Sequence, residues 1–265
     1  MDRKQAVRDN YGKLAQMAPE ERGQGPVTQV HAEGLGYDAD QLQAVPEGAD
    51  LGLGCGNPLA LADLRSGEAV LDLGSGAGLD CFLAAQAVGP TGRVIGVDMT
   101  PEMVERARAN AASAGAGNVE FRLGEIESLP VAEGEVDVVI SNCVINLVPD
   151  KGQAFAEAYR VLRPGGRLHV SDIVLGDELP EAVLQSVAAY VNCVAGAVSE
   201  AEYLAAMAAA GFAEITVATR RDAVELLNGC CAAPDEGACG CGPELPEGDL
   251  HGLAWSITVS ARKPA

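Results

Sequence analysis

Between about residues 68 and 172 the chain alternates short, uninterrupted apolar runs with Ala-rich stretches dotted with charge. In order they read "EAVLDLG", "LDCFLAAQAV", "GRVIGVDM", "PEMVERARANAASAG", "NVEFRLG", "EVDVVISN", "KGQAFAEAYRVL" and "GGRLHVSD". Continuous apolar strands separated by amphipathic helices mark a parallel sheet covered on both faces, and five such strands fit this interval. The punctuation agrees. Thr100 before Pro101 and Glu102 suits an N-cap with proline at the first helical position, and Pro164-Gly165-Gly166 should end a helix before the fifth strand.

The flanks are less regular. Residues 3–17 read as an N-terminal helix, followed by a Gly- and Pro-containing stretch to about residue 58. Beyond 175, "LPEAVLQSVAAYVNCVAGAV" and "SEAEYLAAMAAAGF" have helical texture, and the strands "AEITVAT" and "GLAWSITVSA" flank the Cys-rich loop "NGCCAAPDEGACGCGPELPEGD". The chain thus divides into an N-terminal helix and covering loop (1–58), a central α/β unit (59–175) and a C-terminal region (176–265).

A length of 265 residues buries a core without covalent staples. No apolar stretch approaches the roughly 20 residues of a membrane span, so a soluble, cytoplasmic protein is expected. There, thiols stay reduced, and eight cysteines read as ligands, nucleophiles or core fillers. A net charge of −20, from 18 basic against 38 acidic side chains, repels nucleic acid and anionic membranes.

"VLDLGSGAG" sets Gly74, Gly76 and Gly78 at alternate positions after a strand and before a helix, as a tight turn that must admit a ligand requires. Asp98, at the end of "GVDM", arrives about 20 residues later, where a carboxylate accepts hydrogen bonds from ribose hydroxyls. A nicotinamide site would use G-x-G-x-x-G. Asp72 followed by G-x-G-x-G instead resembles the first motif of Rossmann-like S-adenosylmethionine methyltransferases, with "GEIESLP" and "RVLRPGGRLHVSD" similar to later segments of that family. The resemblance implies a doubly wound, mostly parallel sheet. It also implies cofactor contacts from Tyr11, Asp72, Gly74, Ser75, Gly76, Gly78, Asp98, Met99, Glu125, Ile126 and Asn142, with S-adenosylhomocysteine as product.

Cys143 follows the fourth strand, at the mouth of the site such a fold builds, and a soft sulfur there suggests a nucleophile or a ligand for a soft centre. Cys55 lies in the Gly-rich loop "LGLGCGNPLAL" and Cys193 in "YVNCVAGAV". These three thiols converge only if the C-terminal α+β appendage folds over the active site. Trivalent arsenic binds three thiolates pyramidally and keeps a lone pair able to attack a methyl group in line. "GLGCGNP", "VLDLGSGAGLDCF", "IGVDMTPEM" and "SNCVINLVPDK" together resemble the arsenite S-adenosylmethionine methyltransferases.

That resemblance implies Cys55, Cys143 and Cys193 as catalytic arsenic ligands, arsenite or its glutathione conjugate as substrate, glutathione or thioredoxin as reductant, and no required metal ion. The family's further upstream cysteine, near "GQGPVTQ", is missing. Two other functions fit the sequence: methylation of carbon or oxygen on a small apolar metabolite, and metalloid binding without turnover. Cys81 is expected to pack in the core. Cys230, Cys231, Cys239 and Cys241 lack zinc-ribbon spacing, leaving arsenic capture, structural zinc or a plain solvated loop open.

Overall fold

The computed structural model describes residues 3–17, 32–176, 196–223 and 252–265. Cys193, the Cys-rich loop and most of the first C-terminal helical segment lie outside them.

The expected helix at the N-terminus is α1 (Arg3–Gln16), followed by the short α2 (Ala39–Gln43) and a 3-10 turn at Pro58–Leu61. The alternating region then forms β1 (Ala69–Leu73), α3 (Leu79–Val88), β2 (Arg93–Asp98), α4 (Pro101–Ala114) and β3 (Val119–Leu123). It continues with β4 (Val136–Asn142), α5 (Lys151–Val161) and β5 (Leu162–Leu175). After the gap come α6 (Glu200–Ala209), β6 (Ala213–Asp222) and β7 (Ala254–Arg262).

Seven strands make one sheet in the order β3-β2-β1-β4-β5-β7-β6. The first five run parallel, whereas β7 pairs antiparallel with both β5 and β6. The expected C-terminal strands are therefore built into the same sheet, with β7 between its neighbours. Side chains alternate across a strand, so β1 sends Ala69, Leu71 and Leu73 to one face and Val70 to the other. Phe155 of α5 and Tyr203 and Met207 of α6 cover the first face, and Phe82 of α3 and Val104 of α4 cover the second. Double coverage is what the unbroken apolar runs required.

Two local details differ from expectation. Thr100 stands at the N-cap of α4, but its side chain makes no cap bond; Asp98 Oδ1 organises the turn by accepting the Thr100 N–H at 2.8 Å. The Pro-Gly-Gly run does not separate α5 from β5 either. The helix stops at Val161 and β5 starts at Leu162, with the register shift between Val136 and Val138 absorbing Pro164-Gly166 into an irregular strand start.

Candidate active site

Strand order reverses between β1 and β4, and a cavity opens at their carboxyl ends, with about 1020 Å³ of empty space including its mouth. The turn after β1 presents Gly74, Ser75 and Gly76 to it, Asp98 and Met99 come from the end of β2, and Ile126 enters from beyond β3. Val7 and Tyr11 of α1 line its far side. Asp72 and Asn142 line it from the ends of β1 and β4, with Cys143 next in the chain.

Gly76 has φ +51° and nothing within 4 Å of where a Cβ would stand, so the turn leaves space beside its backbone. Its N–H donates to Asp98 Oδ2 at 2.9 Å, tying the turn to β2. Gly78 differs from expectation. It lies outside the lining, and its hydrogen is required because a Cβ would meet Phe82 at 2.7 Å and Phe121 at 2.8 Å; it packs α3 onto the sheet.

Three buried carboxylates, Asp72, Asp80 and Asp98, face this cavity. Burial first, then the charges of Asp80 and Asp98, push Asp72 well above the usual carboxylate range. Burial raises Asp80 to about 6, against hydrogen bonds from Tyr37 and Asn142, and raises Asp98 as well. Acids that cannot comfortably ionise in an apolar pocket favour a cationic occupant, whose charge would substitute for the missing water. Ser75 Oγ is buried at the cavity without a partner, a second mark of a polar ligand. These residues fit the sulfonium and ribose of S-adenosylmethionine.

Glu125 is a correction. It is absent from the lining, because Lys4 Nζ at 2.7 Å and Arg8 Nη2 at 3.3 Å hold its carboxylate against α1. The Lys4 bond is the largest of the effects that lower its pKa. Glu127, overlooked in the sequence, faces the cavity and also binds Lys4, at 3.0 Å.

At the cavity's β4 side, Cys143 and Cys55 are joined by a disulfide. The resemblance implies three free thiol ligands, Cys55, Cys143 and Cys193, with Cys55's redox partner missing upstream; the structure instead joins Cys55 to Cys143. Cys143 holds a left-handed φ of +60°, costing about 1 kcal/mol, and its N–H donates to Ser171 O at 2.8 Å. Cys55 is pressed between glycines. A Cβ on Gly54 would meet the Asn142 amide at 3.0 Å, and one on Gly56 would meet Ser171 at 2.8 Å.

Asn142 clamps this loop. Its Oδ1 accepts the Cys55 N–H at 3.1 Å, while Nδ2 donates to Gly56 O at 2.8 Å and Tyr37 Oη at 3.0 Å. Tyr37 in turn donates to Asp80 at 2.7 Å. Cys55 itself lies 6% exposed, outside this cavity and lining a second one beside it. Cys81 is fully buried, as expected of a core cysteine, and donates to Asp72 at 3.3 Å. Asp80, Tyr37 and Asp172 were missed in the sequence; only the strand-end position of "SD" could have flagged Asp172.

A family model described as a methyltransferase domain matches residues 64–211. An arsenite methyltransferase of Halobacterium salinarum is 51% identical over 234 residues, covering 88% of this chain and 56% of that protein. An arsenite methyltransferase of Aquipseudomonas alcaligenes is 45% identical over 172 residues, covering 62% of this chain and 49% of the relative. The chain therefore spans about half the length of these curated relatives. A crystal structure of an arsenic(III) S-adenosylmethionine methyltransferase from Chlamydomonas reinhardtii superposes with a TM-score of 0.63 at 31% identity, covering 89% of this chain and 73% of that one.

Proposed function

Since the chain belongs to the methyltransferase-domain family, and to the arsenite methyltransferases within it, we propose that it transfers the methyl group of S-adenosylmethionine to trivalent arsenic held by its cysteine thiolates. The observation that carries this is the meeting of Cys55 and Cys143 at the edge of a cavity lined by the glycine turn and three buried acids.

S-adenosylmethionine supplies an electrophilic methyl on a sulfonium. The chain's own residues do the rest. Asp98 and the glycine turn hold the nucleoside end, Asp72 and Asp80 favour the positive charge, and Asn142 fixes the Cys55 loop against β4. Bound arsenic attacks through a lone pair with no proton to lose, so no general base is required and the work is alignment. The disulfide must first be opened by an external thiol, for which glutathione or thioredoxin is suited; glutathione would also deliver arsenite as a conjugate.

Cys193 would supply a further thiolate, and the reaction would serve detoxification in the cytoplasm. Among the described residues no helix is long and apolar enough to cross a membrane. The test is incubation of the reduced protein with arsenite, labelled S-adenosylmethionine and glutathione, followed by separation of arsenic species. Methylarsenic above a boiled control is expected, and its absence would overturn the proposal.

A further inference from the structure

The Cys55–Cys143 pair stands between two cavities, and each takes one of its cysteines. Cys143 lines the cofactor cavity and Cys55 does not; Cys55 lines the second cavity and Cys143 does not. The second cavity has about 570 Å³ of empty space including its mouth. Ser256 and Thr258 of β7 line it, level with Arg221 and Thr219 of β6, and Leu35 and Asn57 help to complete it. The Ser256 hydroxyl donates to the Cys55 carbonyl and so fixes the cysteine beside this cavity. Arg221 and Thr219 are exposed, and the cavity meets solvent next to the guanidinium.

Charge divides along the same line. Among the described residues, the cofactor cavity is lined by Asp72, Asp80, Asp98 and Glu127 and by no Lys, Arg or His, whereas the second cavity is lined by Arg221 and by no Asp or Glu. Buried Asp172, bonded to Asn146 and Tyr203, has a carboxylate oxygen within 4.8 Å of both sulfurs, so a further acid borders the pair. A small thiol of net negative charge is opposed at the cofactor cavity and attracted at the second. We infer, resting on the reading that an external thiol opens this disulfide, that the second cavity binds a small anionic thiol through Arg221, and that this thiol attacks Cys55 and releases Cys143 toward the cofactor.

The incoming thiol reacts as its thiolate. Its sulfur bonds to Cys55 Sγ, the bond between Cys55 and Cys143 breaks, and the electron pair passes to Cys143 Sγ. A second thiolate then attacks the sulfur of the bound thiol. The external disulfide forms, and Cys55 leaves as a thiolate. Two external thiols are thereby oxidised to one disulfide, the protein pair gains two electrons, and the protons of the two thiols pass to the protein thiolates or to solvent. The cysteine beside the methyl donor is freed first, and the cofactor need not depart for this to happen.

In the experiment, oxidised protein saturated with S-adenosylhomocysteine and free of arsenic is treated with glutathione, whose two carboxylates outweigh its one ammonium, with neutral 2-mercaptoethanol or with cationic cysteamine. Acid quenching, alkylation and peptide mass mapping follow the pair. Early quenches should find glutathione on Cys55 and the alkyl group on Cys143. S-adenosylhomocysteine should change the glutathione rate by less than about twofold, because it fills the other cavity. Arg221→Glu should slow glutathione about fivefold or more, leave 2-mercaptoethanol within about twofold and speed cysteamine, while Arg221→Lys keeps the order of the unaltered protein. Glutathione captured on Cys143, a block by S-adenosylhomocysteine, or equal slowing of all three thiols in Arg221→Glu would each overturn the inference while leaving arsenite methylation standing. Neither arsenic nor a methyl donor is present, so a failure to form methylarsenic would overturn the functional reading without altering these rates.

Discussion

Replacing Asn142 with alanine separates two roles that its position allows. As a cofactor contact its loss should weaken S-adenosylhomocysteine; as a clamp its loss should free the Cys55 loop. The two hydrogen bonds to the loop disappear, at 3.1 Å to the Cys55 N–H and 2.8 Å to the Gly56 carbonyl, together with those from Nδ2 to the Tyr37 hydroxyl at 3.0 Å and to Asp80 at 3.4 Å. At about 0.5–1.5 kcal/mol net for each, and taking the low half because Asn142 is only half-buried, the two loop bonds give up about 1–2 kcal/mol of docking energy. That corresponds to roughly 5- to 30-fold in the docked fraction. The readout is the Cys55–Cys143 disulfide population across glutathione redox buffers, trapped by acid and alkylation and counted by mass spectrometry. The pair's effective concentration should fall at least about fivefold, with S-adenosylhomocysteine affinity within about threefold. An unchanged thiol–disulfide equilibrium alongside a tenfold loss of nucleoside affinity would refute the clamp.

Three further outcomes are expected. Gly76→Ala forces a left-handed φ on an L-residue, costing about 1 kcal/mol in a thermal melt; because its methyl enters open space at the cavity, calorimetry should show a larger loss of S-adenosylhomocysteine binding than of stability. Lys4→Met removes the bonds to Glu125 and Glu127 that fix α1, and should weaken nucleoside binding about two- to threefold in low salt and not at all in 1 M NaCl. Burial raises Asp172 to about 7 and Asp80 to about 6 from an ordinary 3.8, so the fold keeps protons that the unfolded chain releases. Their contribution to stability is full below about pH 4 and is lost as pH climbs through 6 to 7. The urea midpoint should therefore carry a component falling across that window, and Asp172→Asn should flatten it; an unaltered slope in the variant contradicts this assignment.

The parallel core was legible because its signal is local: four largely buried apolar runs and the shorter edge run of β3, which buries only Phe121. The glycine turn, Asp98 and Cys143 were legible for the same reason, since strand ends fix where they stand. What escaped the sequence depends on contacts between distant segments. Glu125 sits in a segment that should border the nucleoside, yet two cations on α1, more than a hundred residues away, draw its side chain outward. Asn142 announces nothing about clamping until Cys55 is brought beside it. The tie from Tyr37 to Asp80 spans 43 positions and has no periodicity to betray it. Asp172 reads as an ordinary strand residue until the cysteines close in.

The place of β7 inside the sheet carries a consequence for biosynthesis. Ser256 of that strand donates its hydroxyl to the Cys55 carbonyl, so part of the cysteine's cradle comes from 201 positions downstream. As the chain leaves the ribosome, the edge of β5 stays open until residues 254–262 emerge to pair with it. A nascent chain stalled before that point presents an unpaired strand and a cysteine lacking its backing. Assembly of the cysteine pair is thereby tied to completion of the whole sheet, and half-made polypeptides lack its finished cradle.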